Sequence, residues 1–557
     1  MRAMEGEGHL TDRFERGVNS LLAFLERDRL NLWQTFAYVL AIALFRDLSE
    51  YYLLDEAFVS TAHPWIFSIA HHVAFFILTY LGLVLILKVF SGSGLRKCMN
   101  YTNWYYWIIL LPPFIDRFLF GQGTNYAYFS WTDFLAAFFL MEGDSFHPGQ
   151  AVEVIVVLFA LFAYVIWRHR DDVRDLQGRT LLAVRLGLMA LFTVAAMFTL
   201  GTPGAYLPVG SEGGLPVFPN FDSTRYVQHH LFIFAYYYLA GAMLVLALSS
   251  IALRDRFRRE VSALRPFQTA FFAGIVLTGM AMAWQGWGEP ALVTKILDRP
   301  YWVNLAYVIP TVLSAVLAWQ ATVIWNDLSD RDSDSPSKGG RVLASGLLPV
   351  KIAREASVIL VFIALAASLL LSLQQFIIMS GILALGFLYS FPPVRFKKAL
   401  LSPLLMGGGS FLAFLYGAST PYSVVDYVSD VPYLSGSVVF PAVLPEVLIV
   451  GAFMFIGLVI GSIVTDVDGY EEDRAGGVRT VYTAFGLERG ASYVSILIFL
   501  ASFTPLVLFS SPLDVAVFPI LGAAAALRFR RARSSREVMV LAMVGLLYAA
   551  LRFLSLI

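Results

Sequence analysis

Long apolar stretches alternate with short polar segments along the whole chain. A helix needs about 20 mainly apolar residues to cross a bilayer, and on that measure the sequence predicts fifteen membrane-spanning helices. Six lie near 31–54, 65–90, 103–120, 150–168, 180–201 and 228–253. Nine follow near 267–285, 302–325, 355–373, 375–391, 402–419, 443–465, 490–510, 513–528 and 537–556. The pattern predicts an all-α polytopic membrane protein. The further apolar stretch 124–142 contains Asp133, and we interpret it as re-entrant or interfacial.

The composition supports a membrane protein and excludes several other classes. Of 557 residues, 58% are hydrophobic and only 14% are charged, which an ordinary soluble globule does not tolerate. The formal net charge of zero argues against a nucleic-acid partner. The single cysteine, Cys98, excludes an intrachain disulfide framework and a cysteine-based zinc site.

Basic residues predict the orientation of the chain, because cytoplasmic loops accumulate Lys and Arg. With the N-terminus in the cytoplasm, the basic clusters all become cytoplasmic: Arg96–Lys97, Arg168–Arg179, Arg254–Arg265, Arg331–Arg354, Arg395–Lys398, Arg474–Arg489 and Arg528–Arg536. Residues 1–30 lack the apolar core and cleavage site of a signal peptide. We therefore expect a multi-pass protein of the plasma membrane whose first span serves as the insertion signal.

The basic segment Arg254–Arg265 predicts a division into two domains. We expect residues 1–255 to form an N-terminal module of about six spans and residues 256–557 to contain nine spans. The sequence contains no convincing internal repeat or long linker, so the two halves are expected to lie side by side in the bilayer.

Acidic residues cluster where two of the second-half spans end. Asn326 is followed by Asp327, Asp330 and Asp334, whose carboxylates would share one helical face at the cytoplasmic boundary. Asp466 and Asp473 follow a later span, two helical turns apart. Such carboxylates are typical ligands of Mg²⁺, which grips diphosphates through its open positions. Solvated loop charges are the alternative for any one cluster, but two clusters on the same side favour a site.

These motifs resemble those of the UbiA superfamily of intramembrane prenyltransferases. Positions 326–334 match the first motif of the family, NDxxDxxxD, at every specified residue. Residues 338–346 resemble its basic loop, with Val342 where Pro is usual, and residues 389–397 are similar to its Tyr-x-x-Pro-Pro-x-x-x-Lys segment. Arg265–Pro266 resembles the start of its first helix. In the second motif, Gly469 occupies the position of a middle carboxylate, and Asp468 lies one residue away.

The resemblance implies a Mg²⁺-dependent transfer of a polyprenyl group from an allylic diphosphate to a lipophilic acceptor at the cytoplasmic face. The implied catalytic and metal-binding residues are Asn326, Asp327, Asp330, Asp334, Asp466 and Asp473, with Asp468 as a further ligand only if its turn is unwound. The implied residues for the diphosphate donor are Lys338, Arg341, Tyr389, Arg395, Lys397 and Arg479. Tyr389 or Trp325 would face an allylic cation, or serve as interfacial anchors.

Two other functions remain open at this stage. An inactive version of the fold would bind or transport lipids, and a two-site enzyme would modify the prenylated product with its N-terminal module. The acceptor and the donor chain length are not determined by any residue in the sequence.

The first half carries ionisable residues inside its predicted spans, where they are costly. They lie at similar predicted depths: Arg46, Asp47, Glu50, His71, His72, Asp116, Arg117, His229 and His230. Structural pairs, such as Arg46 with Asp116 and Arg117 with Glu50, are one interpretation. An outward-facing ligand or catalytic site is a second, and haem or a metal held by His71 or His72 with His229 or His230 is a third.

Overall fold

The computed structural model describes residues 2–53, 66–121, 148–201, 223–253, 265–284, 301–330, 349–391, 401–420 and 445–555. Within these ranges the ordered elements are all helices and no strand occurs, so the predicted all-α class is confirmed. The chain divides into two compact units. The first comprises Met1–Glu260, Arg299–Pro310 and Asp426–Ser435, and the second comprises Val261–Asp298, Thr311–Val425 and Gly436–Ile557.

The N-terminal unit is built from eight described helices. They are α1 (Arg2–Leu25), α2 (Leu32–Leu53), α3 (Ile66–Ser91), α4 (Leu95–Tyr105), α5 (Leu111–Ile115), α6 (Pro148–Arg168), α7 (Leu176–Gly201) and α8 (Ser223–Leu253). The helix α1 was not predicted from the sequence. The predicted span 103–120 is irregular, because α4 passes through a 3₁₀ turn, Tyr106–Leu110, into the short α5 with its Pro112 and Pro113. Proline removes a helical N–H donor, which favours such interruptions.

Glu26 joins three helices of the N-terminal unit at its predicted cytoplasmic end. Glu26, just after α1, accepts a hydrogen bond from the Tyr164 hydroxyl at 2.8 Å and forms an ion pair with Arg168, both on α6. The Nδ2 of Asn100 on α4 donates to the Glu26 carbonyl at 3.0 Å. These contacts connect the C-terminal end of α1 to α4 and α6.

The C-terminal unit contains the remaining helices. They are α9 (Pro266–Trp284), α10 (Tyr301–Asp330), α11 (Val350–Leu371), α12 (Leu373–Ser390), α13 (Ser402–Ala418), α14 (Pro445–Thr465), α15 (Tyr470–Ala475), α16 (Val481–Phe485), α17 (Leu487–Ala501), α18 (Pro512–Ala532) and α19 (Ser535–Ser555). The first part of α10, up to Pro310, belongs to the N-terminal unit, and the part from Thr311 belongs to the C-terminal unit. Its main core packs α9, α10, α12 and α13 around buried residues such as Val276, Ala318, Met379 and Phe414.

Helices α9 and α13 approach so closely that their contact requires glycine. A Cβ atom added at Gly417 would overlap the carbonyl oxygen of Val276, and one added at Gly279 would overlap that of Phe414. Small residues at a helix interface allow this approach in membrane proteins. The contact lies near the C-terminal ends of both helices.

Ten described helices are long and apolar enough to cross a membrane, and the shorter apolar helix Gln268–Ala283 accompanies them. Helical residues also occur at each of the fifteen predicted spans. The interfacial stretch expected at 124–142 lies outside the described residues. The protein is a multi-pass integral membrane protein.

Candidate active site

The first acidic motif lies in the last turn of α10. Asp327 and Asp330 are three residues apart, so they share a helical face, and they are 8% and 4% exposed respectively. Asn326 beside them is half-buried. Asp334 lies outside the described residues. Two buried carboxylates at a helix end are a costly arrangement that needs positive charge nearby.

Arg265 supplies part of that positive charge. Its Nη2 lies 2.5 Å from Oδ1 of Asp327, and the side chain remains 31% exposed. Arg265 directly precedes α9 and has a φ of 47°, in the left-handed region that non-glycine residues seldom adopt. The sequence indicated Arg265 only as part of a helix start. Its position before Pro266, at a predicted cytoplasmic boundary, was the available signal.

The second acidic motif follows α14 but does not continue it as a regular helix. Residues 466–469 form hydrogen-bonded turns, in which the N–H of Asp468 donates to Thr465 O at 3.2 Å and that of Tyr470 to Val467 O at 3.4 Å. The helix α15 then begins at Tyr470. Regular helical spacing was therefore the wrong reason to expect Asp466 and Asp473 together.

The carboxylates of Asp466 and Asp473 nevertheless interact. Burial, together with the charge of Asp473, raises the pKa of Asp466 to about 7. Gly469 lies beside the Asp473 carboxylate. A Cβ added at Gly469 would lie 3.6 Å from Oδ2 of Asp473, an ordinary contact distance. The missing middle carboxylate of the motif thus leaves space beside Asp473.

Asp468 is directed to the start of another helix. Its Oδ1 accepts the N–H of Ser535 at 3.2 Å, and its Oδ2 accepts the hydroxyl of the same serine. Ser535 is the first residue of α19, where backbone N–H groups lack helical partners. These contacts give Asp468 a structural role in connecting the second motif to α19.

Tyr389, near the end of α12, lies near a carboxylate of each acidic motif. It interacts electrostatically with Asp330, Asp466 and Arg265, and its side chain forms a hydrogen bond with Ser402 at the start of α13. The end of α12 is also tied to α10, because the Ser329 hydroxyl donates to Ser390 O at 2.6 Å. The structure thus brings both acidic motifs close to one tyrosine.

The other predicted residues are distributed as follows. Trp325 packs edge-on against Phe387 and Phe391, with ring centroids 5.8 and 6.1 Å away. Arg479 is exposed on the segment before α16. The remaining predicted diphosphate-binding residues lie outside the described residues: Lys338, Arg341, Arg395 and Lys397.

The carboxylate oxygens of this site are hard donors suited to divalent cations that bind phosphate. The helices and the site together define an intramembrane enzyme domain. Residues 272–544 match the family model of the UbiA prenyltransferase family. They belong to this family, as the sequence motifs predicted, and the chain is a prenyltransferase with an additional N-terminal unit.

Curated and solved relatives are similar to part of the chain. Digeranylgeranylglyceryl phosphate synthase of Sulfurisphaera tokodaii is 23% identical over 206 residues, which cover 36% of this chain and 67% of the relative. A solved digeranylgeranylglyceryl phosphate synthase is 16% identical, with a TM-score of 0.37, over 52% of this chain and 93% of its own. A UbiA homologue from Archaeoglobus fulgidus bound to GPP and Mg²⁺ is 18% identical, with a TM-score of 0.36, over 52% and 97%.

Proposed function

We propose that residues 256–557 transfer a polyprenyl group from an allylic polyprenyl diphosphate to a lipophilic or membrane-associated acceptor, with Mg²⁺ as cofactor. The observation that supports this most strongly is that Tyr389 interacts with Asp330 of the first motif and with Asp466 of the second, which in turn interacts with Asp473. The active site lies at the cytoplasmic face, with the N-terminus also cytoplasmic and the protein in the plasma membrane. Residues 1–255 form a separate N-terminal module.

The donor set of the site fits Mg²⁺. Asp327, Asp330, Asp466 and Asp473 offer carboxylate oxygens, and Asp334 would add a fifth carboxylate on the extension of the first motif. Mg²⁺ bound there supplies positive charge to the diphosphate leaving group. Asp327 and Asp330 at the end of α10, Asp466 just after α14 and Asp473 on α15 would hold that ion, and Asn326 would orient it or a phosphate by hydrogen bonding.

Positive side chains complete the diphosphate site. Arg265, already beside Asp327, is partly exposed and can turn toward a phosphate oxygen. Lys338, Arg341, Arg395, Lys397 and Arg479 are the further candidates on the same predicted side. Tyr389 presents an aromatic ring near both acidic motifs, where an allylic cation would develop after the carbon–oxygen bond breaks. The prenyl chain would extend into the bilayer side of the helices.

The acceptor to test first is a glyceryl phosphate that carries one geranylgeranyl group, because the similar Sulfurisphaera tokodaii synthase is named for the product that carries two. An acceptor with a phosphate headgroup and a prenyl tail suits a site at the membrane boundary. Geranylgeranyl diphosphate is the corresponding donor to test.

The decisive experiment measures transfer of radiolabelled geranylgeranyl groups by the purified full chain with Mg²⁺. We expect Asp327→Ala and Asp330→Ala to abolish transfer while the protein still elutes as a folded species, because both side chains lie at a helix end and contribute no apolar packing. Glu471→Gln, an exposed acidic residue of the second motif, is the matched control and should keep full activity.

Full activity in either aspartate variant would contradict the assignment of these residues. Absence of transfer by the unmodified chain, with retained binding of the labelled donor, would instead favour the lipid-binding or transport version of the fold. Transfer by the full chain followed by further modification of the product would favour the two-site enzyme.

A further inference from the structure

A second group of potential ligands lies in the N-terminal unit, between α2 and α3. The members of this α2–α3 cluster are Asp47, Glu50 and His72, each with one potential metal-binding atom within 4.8 Å of the others. Asp47 is 4% exposed and Glu50 is 6% exposed. The His72 side chain is 35% exposed.

The existing contacts leave one strong acceptor unused. Oδ1 of Asp47 lies 2.6 Å from Nδ1 of His72. Among the described residues, Oδ2 of Asp47 is buried and has no hydrogen-bond partner. A buried carboxylate oxygen without a partner costs substantial free energy, and more so within a membrane. This oxygen therefore points to a missing positive ligand.

Carboxylates from two helices share the guanidinium of Arg46. Arg46 pairs with Glu50 through Nη2 at 2.5 Å and Nε at 2.7 Å, and its Nη1 donates to Ile109 O at 2.7 Å. Glu153 of α6 interacts electrostatically with both Arg46 and Glu50. Arg46 thus interacts with carboxylates of both α2 and α6.

We propose that the α2–α3 cluster binds a divalent transition-metal ion of the Zn²⁺ class through Asp47, Glu50 and His72. A nitrogen donor with two carboxylates suits such ions and distinguishes this site from an all-oxygen Mg²⁺ site. Ligand atoms about 2.1 Å from a tetrahedral ion lie about 3.4 Å apart. The observed separation of at most 4.8 Å needs only small side-chain movements to reach that value.

The surroundings supply the supporting contacts that metal ligands usually have. Arg46 holds the Glu50 carboxylate and is itself held by the backbone at Ile109. The buried His71 ring packs on His72, with centroids 4.0 Å apart, and restricts its rotation. Three protein ligands leave a further coordination position for water or a polar group. When the ion binds, it displaces any proton shared between His72 and Asp47 into solvent.

This proposal differs from the histidine pairs considered from the sequence. Of those residues only His72 takes part, and its partners are the carboxylates of α2. The side chains at 229 and 230 lie outside what the structure describes.

The test uses the purified full chain, stripped with chelator and then titrated with Zn²⁺ or Co²⁺. We expect one tightly bound Zn²⁺ per chain by elemental analysis and a Co²⁺ visible absorption band characteristic of nitrogen and oxygen ligands. Asp47→Asn and His72→Phe should each weaken binding at least tenfold. His169→Asn is the matched control, because His169 Nδ1 lies 2.8 Å from the single carboxylate of Asp172 and should not affect the metal content.

Two further outcomes distinguish a metal site from a structural ion pair between His72 and Asp47. Asp327→Ala should retain the Zn²⁺, which makes the result independent of the proposed prenyl transfer. A full chain that binds no Zn²⁺ or Co²⁺, or variants that lose stability yet keep the metal, would overturn the proposal and leave His72 and Asp47 as a structural ion pair. Circular dichroism of Asp47→Asn checks that lost binding does not reflect unfolding.

Discussion

Three aspartates within eight positions of the second motif have different surroundings. Asp466 and Asp473 interact with each other, whereas Asp468 accepts both hydrogen bonds of Ser535. The difference arises because the chain turns between α14 and α15 and sends Asp468 toward α19. Residue type alone therefore does not decide which of these carboxylates can bind a cation.

We predict that Asp473→Asn severely lowers prenyl transfer and that Asp468→Asn has a milder effect. Asp468→Ala should lower the stability of the protein by about 1 kcal/mol, the usual cost of losing a side-chain acceptor at a helix start. Steady-state kinetics and thermal unfolding measure the two effects separately. A severe loss of activity in Asp468→Asn at unchanged stability would instead make Asp468 a ligand.

We predict that Arg265→Met destabilises the cation-free protein, because Asp327 loses the guanidinium 2.5 Å away. An unpaired, largely buried carboxylate costs roughly 1–3 kcal/mol. Adding Mg²⁺ should restore more stability to this variant than to the unmodified chain, since the ion replaces the lost charge. Thermal unfolding with and without Mg²⁺ measures this difference, and equal stabilisation of both proteins would count against cation binding at Asp327.

At the scale of helices, close packing positions the site. The residue before α9 is Arg265, and α13 begins at Ser402, which bonds to Tyr389. The contact of α9 with α13 through Gly279 and Gly417 holds together two helices that each contribute to the site. Packing within the bilayer and the arrangement of charged groups at its boundary are linked through these helices.

We predict that Gly417→Ala forces α9 and α13 apart, since its Cβ would overlap Val276 O. The expected loss of stability is about 1–3 kcal/mol, with a fall in prenyl transfer as Tyr389 shifts. Gly409→Ala on the same helix is the control, because in the described part of the chain the added Cβ would meet no atom of another helix within 4 Å. Thermal unfolding and prenyl-transfer assays on both variants test this prediction. Equal effects at the two positions would refute a role for close packing.

For the whole molecule, the distribution of basic residues predicts which loops are cytoplasmic. The chain has one cysteine, Cys98, which is buried. Replacing Cys98 gives a cysteine-free protein, into which a single reporter cysteine can then be introduced at a chosen position. Orientation in the membrane depends on insertion, which apolar length and loop charge govern together.

We predict that Asp430→Cys reacts with a membrane-impermeant maleimide added to intact cells, whereas Arg530→Cys reacts only after the membrane is opened. Position 430 lies in a segment without Lys or Arg, and position 530 lies in a basic cluster. Mass-tag gel shifts quantify the labelling. The reverse pattern would place the proposed active site on the outer face.

The sequence by itself determined the helical class, the membrane location and the family. Apolar segment lengths and motif spacings are local properties, so Asn326, Asp327 and Asp330 at the end of an apolar segment could be recognised directly. The sequence also indicated Asp466 and Asp473, although the regular helix assumed between them is replaced by turns.

Only the tertiary structure decided which partners these residues have. Asp468 contacts Ser535, 67 residues later, and Arg265 contacts Asp327, 62 residues later. The α2–α3 cluster likewise depends on the packing of two helices, which brings His72 to Asp47 across 25 residues. Such contacts depend on how helices pack and where turns redirect the chain, and neither spacing nor hydropathy encodes that information locally.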